Sequence, residues 1–228
     1  MAGHPAVGTA FALEQDGVIG ARVCFELGVG PTPLERVPGP DGGPIWRMEQ
    51  PLPRFDPGAP DAAAVAHALG LEASDLAGDV PLAAAATGLP FLMVALRSLD
   101  ALGRARLRTD AWAGLGPPAA AWMPYLFVRT GADATGADTV RARMFAPGEG
   151  IAEDPATGSA AGPLGAFLVE HGALRPDPTG HARLTVTQGV EMGRPSELFV
   201  EIEGRPGQFR AVRVGGAAVT VGGGWLVE

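Results

Sequence analysis

The sequence predicts an α+β fold in which a mostly antiparallel sheet wraps around a buried helix, and does so twice. Three observations predict it. One motif is written in two copies, His4-Pro-Ala-Val-Gly-Thr-Ala10 and Asp154-Pro-Ala-Thr-Gly-Ser-Ala160, which in a chain of 228 residues points to two related halves. The stretch after each copy is small and apolar with almost no charge, the pattern of a helix enclosed by protein. The remainder is short apolar runs broken by 34 Gly and 22 Pro, without the strand–helix alternation of a doubly wound parallel fold.

Each element follows in order. Residues 8–13 form the first apolar helix, which Gly17 stops, and residues 20–28 and 45–49 read as strands. Four prolines between Pro51 and Pro60 suggest an interdomain linker. It divides the chain into an incomplete N-terminal domain over 1–55, with 215–228 as the segment to complete it, and a C-terminal domain over 56–214. A helix over 61–70 starts at Asp61, stops at Gly70 and carries His67 as an ordinary surface or boundary residue. Strands follow at 82–87, 91–96, 125–130 and 140–145. Arg104, Arg106 and Arg108 alternate on a further predicted strand and share a face, read as a solvated face or as an anion or partner patch. The second motif copy starts a helix over 157–171 with Ala160, Ala161, Leu164, Phe167 and Leu168 inward. Strands at 182–188, 198–203, 209–214 and 217–221 close the chain.

Composition removes several function classes. A 46% hydrophobic, 18% charged chain reads as globular and soluble. All seventeen basic residues are Arg, which excludes lysine Schiff bases, a P-loop lysine and pyridoxal phosphate chemistry. The net charge of -8 argues against nucleic acid as a partner. Cys24 is alone, so no internal disulfide or multi-cysteine metal site forms, and a cytoplasmic setting fits best. No apolar run approaches membrane-spanning length. His171 and His181 have no partners at metal spacing, so no zinc or other metal is expected.

The repeated motif has a chemistry of its own. Proline is tolerated in a first helical turn, glycine lets a ligand approach the backbone, and the unpaired N–H groups with the helix dipole attract a carboxylate. Two such helix starts facing each other would clamp an anion. An acid/base side chain, His4 in one copy and Asp154 in the other, would then sit over it. Gly3, Gly8, Thr9, Gly158 and Ser159 are the expected substrate-binding residues. Asp154 also suits a bare N-cap. Glu153 is its neighbour, but adjacent side chains point apart, so a carboxylate pair is not expected.

Gly3-His-Pro-Ala-Val-Gly-Thr-Ala10, Thr87-Gly-Leu-Pro-Phe91, Phe145-Ala-Pro-Gly-Glu-Gly-Ile-Ala-Glu-Asp-Pro-Ala-Thr-Gly-Ser-Ala160, Gln188-Gly-Val-Glu-Met-Gly-Arg-Pro-Ser196 and Val214-Gly-Gly-Ala-Ala-Val219 together resemble the PhzF-like phenazine-biosynthesis isomerase family over the whole chain. The resemblance implies a diaminopimelate-epimerase-like fold, two similar domains with a cleft between them, and often a homodimer. It also implies proton transfer on a small carboxylate substrate without a cofactor, as when the family's characterised member moves a proton along a conjugated dihydro-hydroxyanthranilate. In related epimerases two cysteines before the paired helices act as acid and base; the phenazine branch has His and Asp there, as at His4 and Asp154.

One departure stands out. In that family a leading segment with a glutamate, the principal proton carrier, precedes the Gly-His-Pro motif, whereas here only three residues precede His4. A buried-type helix short of covering strands loses about 25 cal/mol per Å² of exposed apolar surface. Three explanations fit: the chain begins at an internal methionine of a longer reading frame, which we favour; it is naturally short and inactive; or another chain supplies the missing part. The expectation is therefore an isomerase or epimerase, with a truncated, inactive small-carboxylate binding protein as the alternative.

Overall fold

The computed structural model describes residues 3–56, 58 and 60–224. Residues 57 and 59 of the expected linker, and residues 225–228 of the segment expected to complete the N-terminal domain, lie outside the described residues. The fold is α+β. Helix α1 (Gly3–Gln15) is followed by strands β1 (Arg22–Leu27), β2 (Gly30–Pro38), β3 (Pro44–Gln50) and β4 (Arg54–Asp56), then α2 (Ala62–Ala68). Strands β5 (Ala83–Ala86) and β6 (Pro90–Ala95), helices α3 (Leu99–Arg104) and α4 (Thr109–Ala113), and strands β7 (Met123–Ala132), β8 (Asp138–Ala146) and β9 (Ile151–Asp154) come next. The chain continues through α5 (Gly158–Glu170), β10 (His181–Gln188), β11 (Ser196–Arg205) and β12 (Gln208–Gly216).

The strands form one sheet in the order β1-β2-β3-β12-β11-β10-β8-β7-β6-β5-β4, with β9 added on β8. Pairing is antiparallel except for β6 with β7 and β8 with β10. Helix α5 touches β5 and β6 near one end of this order and β12 near the middle, so the sheet must curl around it. All of α5 from Ala160 to Val169 is buried, and Leu164, Phe167 and Leu168 meet Val200, Ile202 and Val212.

Strands β6 and β7 explain their own sequences. Phe91, Met93, Tyr125 and Phe127 point at α5, while Leu92, Val94, Leu126 and Val128 point the other way, under α2, α3 and α4. A strand covered on both faces reads as an unbroken apolar run. Helix α2 keeps its predicted ends: the Asp61 carboxylate accepts from the Ala64 amide at 2.7 Å, and Gly70 takes the left-handed conformation at φ 69° that ends it. Its His67 is exposed.

The first helix differs from its reading. It starts at Gly3, five residues earlier than predicted, and only Gly3, Ala6 and Ala10 are buried, on Leu34, Trp46 and Met48. It lies on its strands rather than inside them. Three strands were absent from the sequence reading: β2, β4 within the expected linker, where it pairs with β5, and β9, which pairs with β8 and runs into the second motif copy. The strand expected over 217–221 does not form; both edges of β12 are already taken, by β11 and β3. Nor do Arg104, Arg106 and Arg108 share a strand. Arg104 ends α3, and the amides of Arg106 and Arg108 bond the Leu69 and Ala68 carbonyls at the end of α2. Among the described residues no helix is long and apolar enough to cross a membrane.

Candidate active site

The two helix starts meet. A β-carbon built on Gly3 would lie 3.4 Å from the Gly158 Cα and 3.7 Å from the Ser159 amide nitrogen. Among the described residues no hydrogen bond reaches the Gly3, His4, Gly158 or Ser159 amide, so both helices bring free N–H groups and the positive end of a dipole to one place. A cleft of about 900 Å³ extends from this junction, lined by Gly3, His4, Gly8, Phe11, Gly158 and Val214 among others, with Asp41 and Glu197 as its acidic side chains.

Helix periodicity decides which α1 residues reach the cleft. Residues advance about 100° each, so Gly3, Ala6 and Ala10 share the sheet-facing side and His4, Val7, Gly8 and Phe11 share the cleft side. Thr9 falls with Pro5 and Ala12 on the outward side and is exposed, away from the cleft. Ser159 is half-buried in the first turn of α5, beside the lining residue Gly158.

The repeat is not symmetric in structure. His4 lies inside the first turn of α1, exposed at the cleft. Asp154 instead ends β9, four residues before α5, and is half-buried; the cleft lining takes in Ala156, two positions on, and not Asp154 itself. Asp154 thus stands ahead of its helix, as its motif position suggested, whereas His4 stands inside its own. Pairing with β8, where Asp154 faces Met144, keeps the second copy extended. No such pairing holds His4 among the described residues.

Asp154 is held by a network that the sequence reading missed. The Thr157 hydroxyl donates to Asp154 Oδ2 at 2.7 Å. Gln188, fully buried, donates from Nε2 to the Asp154 carbonyl at 2.7 Å and to Thr157 Oγ1 at 2.8 Å. Its Oε1 accepts from the Thr157 amide and from the buried Tyr125 hydroxyl. Burial first, and then the negative charge of Asp154, push the Tyr125 hydroxyl well above the usual phenol range, so it stays a donor. Glu153 points away, as expected of a neighbour. Its carboxylate takes two 2.8 Å bonds from the buried guanidinium of Arg143.

A second glutamine braces the helix from the opposite side. Gln50, at the end of β3, donates to the Gly158 carbonyl at 2.8 Å and accepts from the buried Thr87 hydroxyl. Both glutamines carried a signal in the sequence. Trp46, Met48 and Gln50 are successive inward positions of β3, and Leu184, Val186 and Gln188 are successive inward positions of β10. A polar residue at the next step of an inward apolar series must find buried partners.

Fold and site together define an α+β protein of the epimerase-like class, with a cleft at the junction of two helix starts. The chain belongs to the phenazine biosynthesis-like protein family, whose model matches residues 1–224. An uncharacterized isomerase of Mesorhizobium japonicum is 35% identical, over 99% of this chain and 75% of the relative. The trans-2,3-dihydro-3-hydroxyanthranilate isomerase of Pseudomonas fluorescens is also 35% identical, over 99% of this chain and 74% of its own length. The crystal structure of a PhzF-family phenazine biosynthesis protein of Bacillus anthracis superimposes with a TM-score of 0.83 at 24% identity, over 95% of this chain and 72% of that one.

Proposed function

We propose that this protein is an isomerase that transfers a proton on a small carboxylate-bearing substrate held in the cleft, with no cofactor taking part. The observation that carries the reading is the meeting of Gly3 and Gly158, which brings two helix starts together at a cleft that His4 lines, with Asp154 four residues ahead of Gly158 in the chain. The amides around Gly3, Gly158 and Ser159 hold the substrate carboxylate, and Gly8 lets it lie against α1. Asp154 exchanges the proton, and His4 polarises the substrate or serves as the second acid/base group. In this reading the halves 1–55 and 56–214 close on the substrate from opposite sides, and the working form is a homodimer.

The test is deuterium incorporation from D2O into trans-2,3-dihydro-3-hydroxyanthranilate and a panel of β,γ-unsaturated and amino-acid carboxylates, followed by mass spectrometry. Exchange is expected in the wild type and should fall by about 100- to 10,000-fold in Asp154→Asn and His4→Asn. Carboxylate binding without any exchange would instead identify a binding protein.

A further inference from the structure

We propose that Gln188 and Thr157 are positioning residues that commit Asp154 Oδ2 to a fixed hydrogen bond and reserve Oδ1 as the oxygen that exchanges a proton with substrate. The inference rests on the reading of Asp154 as an acid/base group and adds to it the atom and the machinery behind it.

The direction of every bond in the network can be worked out from groups that have no choice. The Thr157 amide can only donate, so the Gln188 atom 3.2 Å from it is the oxygen. The Asp154 carbonyl can only accept, so the Gln188 atom 2.7 Å from it is the nitrogen. Turning the amide over would set N–H against N–H and oxygen against oxygen at once. With that orientation fixed, the second Nε2 hydrogen goes to Thr157 Oγ1 at 2.8 Å. The threonine hydroxyl, having accepted there, sends its own proton to Asp154 Oδ2 at 2.7 Å. The Tyr125 hydroxyl, 3.0 Å from Gln188 Oε1, supplies the fourth contact. All four hydrogen-bonding sites of the Gln188 amide are then used, and the residue is fully buried. It has no other arrangement to adopt.

The consequence falls on Asp154. Its Oδ2 is an acceptor whose donor is itself held in place, and among the described residues no hydrogen bond reaches Oδ1. When Oδ1 takes a proton, a substrate C–H bond breaks, its electron pair stays in the conjugated system of the substrate, and an O–H bond forms. Return of that proton to carbon restores the carboxylate, so the step is balanced without any other reactant. Rotation of the carboxyl group would exchange the two oxygens, and the Thr157 bond opposes it. Gln188 also grips the Asp154 carbonyl, so backbone and side chain are set by one residue.

The test measures kcat and KM for deuterium exchange into the probes named above, in Thr157→Val, Thr157→Ser, Gln188→Met and Asp154→Asn. Thr157→Val keeps the side-chain shape without the hydroxyl. It should lower kcat by about 10- to 100-fold, as misplacement of a reacting group does, with KM changed by less than about threefold. Thr157→Ser restores the donor and should restore kcat to within about threefold of the wild type. Should Gln188→Met fail to fold, the Thr157 pair decides. If Asp154→Asn abolishes exchange while Thr157→Val keeps the wild-type kcat, the relay is wrong and the role of Asp154 stands. Equal losses in Thr157→Val and Thr157→Ser would also overturn it, since packing rather than the hydroxyl would then matter. If Asp154→Asn exchanges as fast as the wild type, the parent reading falls and takes the relay with it.

Discussion

Gly3 and Gly158 touch across the junction of α1 and α5, with only 3.4 Å between the Gly158 Cα and the place a Gly3 β-carbon would take. The contact brings residues 155 positions apart in sequence to one spot and sets the spacing of the two helix starts. With no side chain on either residue, the backbones themselves form the wall of the cleft there.

Gly3→Ala is a fine probe of that wall. At 3.4 Å the added methyl makes an ordinary contact, so the variant should fold and unfold in urea as the wild type does. The methyl occupies space where a carboxylate would approach the amides, and one methyl group in a pocket is worth about 1–3 kcal/mol. KM for the exchanging probe should rise by roughly 10-fold or more. An unchanged KM would show that the substrate binds elsewhere.

Three glycines of α5 predict a graded response to alanine. A β-carbon at Gly158 meets nothing nearer than 3.7 Å, one at Gly165 lies 2.8 Å from Val200 Cγ1, and one at Gly162 lies 2.0 Å from Gln50 Oε1. Alanine gains about 1 kcal/mol over glycine in a helix interior, against about 1–3 kcal/mol for overpacking. Stability by urea unfolding should therefore rank Gly158→Ala highest, Gly165→Ala next and Gly162→Ala lowest. Gly162→Ala carries a second cost, because displacing Gln50 frees the Gly158 carbonyl it holds.

Arg143 is the charge on which the strand before α5 is fastened. Its Nε and Nη2 serve Glu153, its Nη1 donates to the Leu102 and Ala105 carbonyls at 2.8 and 3.0 Å, and its guanidinium lies 4.8 Å from the Phe145 ring centroid. Removing one partner of a buried pair costs about 3–5 kcal/mol, since the other charge is left without compensation. Arg143→Met should lose that much in urea unfolding and lower exchange through the loosened Asp154. The double variant Arg143→Met with Glu153→Leu should recover part of the stability, a coupling that a double-mutant cycle reads directly.

Much of this was written in the sequence, and the exceptions have physical causes. Helix α5, strands β5 and β6 and the first half of β7 could be read because burial on all sides leaves an unbroken apolar signature. Strand β2 was hidden by Pro31 and Pro33, which usually argue against a strand. They are tolerated because β2 pairs with β1 alone at those positions, and β3 joins only from Leu34. Asp154 and Gly158 could be picked from the motif. Thr157 stands in the same motif and Gln188 is a polar step in an inward apolar series, but their bonds to Asp154 and Tyr125 were not legible, since those partners come from β7, β9 and β10 and only folding brings them together. The repeated motif also suggested more symmetry than exists, because identical spacing does not carry over the β8 pairing that extends one copy.

Acid should weaken the fold through two turns of one design. Asp133-Ala-Thr-Gly-Ala137 leads into β8 and Asp177-Pro-Thr-Gly-His181 into β10, the parallel neighbours. In each, the aspartate Oδ1 accepts from the threonine hydroxyl and amide two residues on and from the amide four residues on. The threonine hydroxyl is the main reason that both carboxyls lie below their ordinary value of 3.8, Asp177 at about 2. Glu35 is lowered as well, chiefly by its bond to Arg47. A carboxyl with a depressed folded pKa stabilises the fold fully above its unfolded pKa, and that contribution is lost as pH falls through the folded one. Urea midpoints should thus hold steady down to about pH 4 and drop from there towards pH 2. The double variant Asp133→Asn with Asp177→Asn should start lower at pH 7 and fall less steeply below pH 4, meeting the wild type at the acid end. Parallel curves for the two proteins would place the acid sensitivity elsewhere.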